Sequence, residues 1–129
     1  AVADFRPEQV AAQKIKKTDD SDGLTLHLTR NPDILATVRD QRSTSGVPRV
    51  VVGFAAESQD LIVNAQAKLT RKGVDLLAAN DISASDAGFA VDTNRVILLD
   101  AAGGQEVLPL MSKAQVAERI IARVAALLT

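Results

Sequence analysis

Lys68 and Lys72 stand four residues apart in "LIVNAQAKLTRKG", so on a helix their ammonium groups share one face. Counting about 100° per residue from Leu61 puts Ala65 near 40°, Leu69 near 80° and Ile62 near 100°. Lys68 then falls at about −20° and Lys72 at about +20°, beside the apolar stripe rather than opposite it. Two readings follow. The lysine stems snorkel over the edge of the core near a helix C-terminus, or both cations overhang a pocket and neutralise a polyanion. "NPDIL" offers a second half of such a site. Asn31 suits an N-cap, Pro32 the first helical position and Asp33 the first turn. The free N–H groups of such a start cradle an anion without any side chain. A third feature is "QKIKKTDDSDG" (13–23), three lysines followed by three aspartates. It reads as a surface loop, either merely solvated or a flap that closes over an anion.

Elements that position these residues alternate along the chain. "LTLHLTR" (24–30) alternates apolar and polar residues, a half-buried strand with Leu24, Leu26 and Leu28 on one face and His27 toward solvent. A helix opens at Asn31 and is broken by "STSGVP". "RVVVGFAAE" (49–57) is apolar nearly throughout, as expected of a strand covered on both faces. The next helix stops at Gly73, "VDLLAAND" (74–81) is a short buried strand and "ISASDAG" a loop. "NRVILLD" and "QEVLPL" flank "AAGG" as a hairpin. The last helix opens with a capping box, Ser112 and Gln115, and carries its stripe on Val116, Ile120, Val124 and Leu127. Strands alternating with helices predict an α/β fold, three-layered and Rossmann-like, with a mainly parallel sheet and a terminal hairpin.

In such sheets ligands bind outside the carboxyl ends of the strands. Three apolar runs end suggestively: "AVA" in Asp4, "RVVV" in "GFAAE", and "VDLLAA" in Asn80 and Asp81. Each also has an ordinary structural reading. Asp4 starts a turn and Asn80-Asp81 opens a loop. Gly53 lets a helix approach, Phe54 belongs to a core, and Glu57 is a helix-start carboxylate.

The chain of 129 residues has the length of one domain, with 47% apolar and 24% charged residues. A net charge of −1 and only three aromatic residues argue against a nucleic-acid partner. With one histidine and no cysteine, a His- or Cys-based metal site and thiolate chemistry are not expected, and the composition suits the cytoplasm. No apolar run approaches the ~20 residues of a membrane span. "AVAD" reads as the tail of a buried strand, as though the chain were part of something longer.

The ordered string "AVADFRP…KIKK…NPDILA…VGFAAES…KLTRKGVDLLAAND" resembles the bacterial phosphopantothenate–cysteine ligases, the synthetase half of a bifunctional coenzyme A biosynthesis flavoprotein. The resemblance covers nearly the whole chain and implies that residues 1–129 are the C-terminal part of one CTP-binding ligase domain. It implies CTP as co-substrate and Mg²⁺ as cofactor, with 4′-phosphopantothenate and L-cysteine joined through an acyl-cytidylate. By resemblance Asp4 lies at the nucleotide site near the ribose or metal, and Lys14 belongs to a flap that closes over the site. Pro32, Asp33, Ile34 and Leu35 match the stretch whose backbone meets the triphosphate. Phe54 matches a nucleotide-pocket position, and Lys68 and Lys72 match CTP-binding lysines. Asn31, Asn80 and Asp81 are additional candidates. The family's glycine-rich nucleotide loop and an asparagine that processes the acyl-cytidylate have no counterpart here, so the resemblance implies a missing N-terminal half and a homodimer. FMN is expected only on the absent decarboxylase domain. The competing expectation is a non-catalytic nucleotide- or anion-binding module on the same fold.

Overall fold

A computed structural model of the chain describes every residue except 1, 17–22 and 84–90. It divides into two compact units, Ala1–Ile34 and Leu35–Thr129.

The first unit is a two-stranded antiparallel ribbon. β1 (Phe5–Pro7) pairs with β2 (Leu28–Arg30), with Phe5 opposite Arg30 and Pro7 opposite Leu28. None of its described residues is buried. The expected half-buried strand over 24–30 is therefore corrected: only its last three residues pair, and Leu24, Leu26 and Leu28 are exposed. A ribbon of two strands has no second layer to cover an apolar face. Of "AVA", the described residues Val2 and Ala3 are also not in a strand. Val2 and Ala3 are exposed, and the strand begins after Asp4 rather than ending at it.

The second unit is a three-layer α/β sandwich. Its sheet has the order β3 (Val52–Glu57), β4 (Leu76–Asp81), β6 (Val96–Asp100), β7 (Gln105–Val107). β3 and β4 are parallel, while β4–β6 and β6–β7 are antiparallel. The α/β class and the hairpin are as expected. The sheet is mixed rather than mainly parallel, because β6 and β7 both enter it antiparallel to their neighbours. Short strands β5 (Thr93–Asn94) and β8 (Met111–Ser112) pair beside it.

Alternation along the strands divides the core in two. Val51, Ala55, Leu77, Ala79 and Leu99 face one side. There they meet Ala65 and Leu69 of α2 (Leu61–Lys72) and Leu35 and Val38 of α1 (Ile34–Ser45). Leu76, Ala78, Val96 and Leu98 face the other side and meet Val116, Ile120 and Val124 of α3 (Lys113–Leu128). The expected caps are present. Gly73 ends α2 at φ 62° with its N–H on the carbonyl of Leu69, and Ser112 and Gln115 form the capping box of α3. Leu127, by contrast, is exposed.

β3 is the edge strand, and this overturns two expectations. Its helix-side residues Gly53 and Ala55 are buried, but Phe54 and Ala56 on the other side are exposed. On that other side only Val52, at the start of β3, packs against the α3-side core, so β3 is fully covered on one face alone and Phe54 is not core.

Candidate functional site

β3 and β4 run parallel and in register, so Glu57 stands opposite Asp81 and Ala56 opposite Asn80. Both strands present their carboxyl ends on one rim. Gly53 leaves room on the α2 side for the Leu77 side chain, whose Cδ1 would lie 2.8 Å from an added Cβ. Side-chain parity sorts the rim residues. Glu57 and Asp81 follow Ala55 and Ala79 toward α1 and α2, whereas Phe54 and Asn80 lie with Ala78 and Val96 on the α3 side.

On the α2 side Lys68 reaches the rim. Its Nζ lies 2.5 Å from Glu57 Oε1, with the glutamate side chain 12% exposed and the lysine 38%. α2 begins beside the end of β3 and runs back along it, and helical side chains tilt toward the helix N-terminus. A cation two turns into the helix is thereby carried back toward the rim. Glu57 is not the helix-start carboxylate expected from sequence; it ends the strand, and α2 starts at Leu61. Lys72 shares the face of Lys68 and lies one turn further from the rim, about 6 Å along the axis. Both lysines are half-buried beside Ala65 and Leu69, as their angular positions required.

On the α3 side Phe54 is 69% exposed. Asn80, diagonal to it on the next strand, has a buried side-chain oxygen that accepts no hydrogen bond. An exposed ring and an unsatisfied acceptor two positions apart are suited to a flat polar ligand. Asp81 accepts from the backbone N–H and hydroxyl of Ser83 at 2.9 and 2.6 Å, which fixes the start of the following loop. The unsatisfied state of Asn80 and the pairing of Glu57 with Lys68 were not foreseen in the sequence. Helical tilt could have signalled the second, and nothing local signals the first.

In the first unit, Asp4 and Asn31 are brought together. The Asn31 N–H donates to the Asp4 carbonyl at 2.8 Å, and its side-chain amide donates to Ala3 O at 2.6 Å. Asn31 Oδ1 accepts from Arg6 at 3.1 Å, and the same Arg6 nitrogen donates to Arg30 O at 2.8 Å. This corrects the assignment of Asn31 as N-cap and Pro32 as first helical residue. The oxygen that would cap is held by Arg6, and the helix begins at Ile34. Pro32, Asp33 and Ile34 are exposed around this start, while Leu35 turns into the core. Lys14 is exposed and outside any regular element. The rest of the lysine–aspartate stretch, 17–22, and most of "ISASDAG" lie outside the described residues.

Among the described residues no group of three or more His, Cys, Asp or Glu side chains could hold a metal ion, and no helix is long and apolar enough to cross a membrane.

An α/β sandwich with a charged carboxyl-end rim belongs to the architectures that take ligands at that rim. The chain is a member of the family described as DNA/pantothenate metabolism flavoprotein C-terminal domain, which it matches over residues 1–128. It is 44% identical over 128 residues to the coenzyme A biosynthesis bifunctional protein CoaBC of Vibrio vulnificus (strain CMCP6), covering 99% of this chain and 31% of that protein. The Bacillus subtilis (strain 168) protein of the same name is 43% identical over 127 residues, 98% of this chain and 30% of the relative. The chain thus spans about a third of the length of the curated relatives it matches. Among solved structures, the C-terminal domain of a CoaBC protein superposes with a TM-score of 0.71 at 28% identity, over 99% of this chain and 51% of that one.

Proposed function

We propose that this chain is the nucleotide-binding C-terminal part of a phosphopantothenate–cysteine ligase acting in coenzyme A biosynthesis. Membership of the family and the names of its relatives support the pathway. The observation that carries the site is Lys68, a helix-borne ammonium standing at the carboxyl end of β3. In this reading the 4′-phosphopantothenate carboxylate attacks the α-phosphorus of CTP, forming an acyl-cytidylate and releasing pyrophosphate. The amino group of L-cysteine then attacks the acyl carbon, forming the amide, losing a proton and releasing CMP.

The difficulty of the first step is charge. A carboxylate must approach a tetra-anionic triphosphate, and charge builds on the leaving pyrophosphate. Lys68 and Lys72 offset that repulsion, and the N–H groups at the start of α1 receive phosphate oxygens. Phe54 gives the base an apolar surface and Asn80 Oδ1 an acceptor. Lys14 closes over the anhydride and excludes water. No nucleophilic side chain is required. Mg²⁺ would be held mainly by substrate phosphates with one or two carboxylates, which fits the absence of a three-ligand cluster among the described residues; Asp4 is the carboxylate we assign to it, and the ion would supply charge neutralisation. We assign no flavin to these residues. The remaining half of the site, the partner copy and a cytoplasmic setting are part of the same proposal.

Lys14→Ala in the full-length protein tests it. Turnover should fall at least about a hundredfold, in the range of a lost transition-state contact, while CTP affinity changes little. Wild-type turnover would remove Lys14 from the site.

A further inference from the structure

Glu57 has no role in the reaction as proposed, yet its carboxylate sits almost out of water at the end of β3. Putting a carboxylate there is unfavourable unless something compensates, since a buried charge loses its hydration. The compensation is Lys68 Nζ at 2.5 Å. Glu57 Oε1 accepts a hydrogen bond from no other group among the described residues. An ammonium has three N–H donors, and a single carboxylate oxygen steers it without engaging all of them. Lys68 retains donors for a second anion.

A lysine has four rotatable side-chain bonds, and ordering them on binding weakens the complex. An ammonium already gathered at the rim avoids most of that loss. We infer that Glu57 is a positioning residue: it holds Lys68 Nζ at the carboxyl end of β3 so that the cation meets the nucleotide's phosphates without prior reordering. This rests on the reading of Lys68 as a phosphate-binding cation. Glu57 opposes the same function electrostatically, because a nearby negative charge repels a triphosphate. Positioning and repulsion thus predict opposite signs for removing the charge, and the sign decides between them.

The test is a double-mutant cycle on Glu57→Gln and Lys68→Ala in the full-length protein, read by calorimetric titration with CTP and Mg²⁺, with Tm recorded for each variant. Glu57→Gln should weaken CTP binding about tenfold, the order expected from freeing one lysine side chain. In the Lys68→Ala background the same change should alter affinity less than twofold. Tighter binding by Glu57→Gln overturns the inference, because repulsion then dominates. An equal loss in both backgrounds, or a lowered Tm with unchanged affinity, overturns it too and leaves Glu57 a structural pin between β3 and α2. If Lys68→Ala alone leaves affinity unchanged, it is the phosphate-binding role of Lys68 that fails, and the inference falls with it. Should Glu57→Gln not fold, Glu57→Asp keeps the charge but withdraws it by one methylene, and the same tenfold loss is expected; wild-type affinity there would overturn the inference.

Discussion

Asp75→Ala should destabilise the second unit without touching the proposed site. Asp75 lies just before β4, at the amino end of the sheet. Its Oδ2 accepts from the Val51 N–H at 2.7 Å and from Arg42 at 2.8 Å, and its Oδ1 accepts from Arg42 at 3.0 Å. Arg42 also donates to Arg49 O at 2.8 Å. One carboxylate thus ties α1 to the strand openings of both β3 and β4. The two side chains are 27% and 25% exposed, so solvent screens the pair only in part. Breaking a fully buried pair from one side costs about 3–5 kcal/mol. Here the remaining exposure and the Arg49 contact reduce that figure, while the orphaned Val51 N–H adds about 1 kcal/mol or more. The expected loss is about 3 kcal/mol for Asp75→Ala and roughly half that for Asp75→Asn, which keeps an acceptor for one of the bonds. Urea denaturation followed by circular dichroism measures both. CTP affinity of the folded variants should be that of wild type, because the clamp and the rim are at opposite ends of β3. Losses below about 0.5 kcal/mol in both variants would refute the clamp.

Phe54→Ala should separate binding from stability: an exposed ring contributes little to folding, so stability should move by no more than about 0.5 kcal/mol, while CTP affinity measured by titration falls about tenfold, the order of one stacked base. Gly73→Ala should lower stability by about 1–3 kcal/mol in the same denaturation assay, since φ is 62° and the new Cβ would lie 2.9 Å from the Cγ and Cδ of Arg39.

Much of the second unit was legible because its signals are local. Gly73 and the Ser112–Gln115 box mark helix ends by backbone chemistry alone, and they are found as expected. The angular position of Lys68 and Lys72 likewise follows from helical periodicity. What alternation does not contain is the identity of the covering layer. Leu24, Leu26 and Leu28 have a strand's period, yet the ribbon supplies nothing to bury them. Val52–Glu57 has the composition of a central strand, yet it is the edge, so Phe54 is left in the open. Asn31 has the right chemistry for a cap, but Arg6, 25 residues away in sequence, competes for its oxygen. The sheet's mixed direction depended on how β4 returns to β6, and the intervening residues carry no periodic pattern. The Glu57–Lys68 pair joins a strand to a helix face, a contact visible only once both are placed.

The central claim is that lysines of α2 hold a triphosphate at the carboxyl-end rim. CTP titration of the full-length protein carrying Lys68→Ala and Lys72→Ala together tests it most directly. The account predicts affinity weakened by about a hundredfold, two charge-assisted phosphate contacts at about tenfold each, in a variant that still folds but is less stable, because Lys68→Ala leaves the nearly buried Glu57 carboxylate without its counter-ion. Wild-type affinity would return both lysines to the role of covering the edge of the core and would contradict the account.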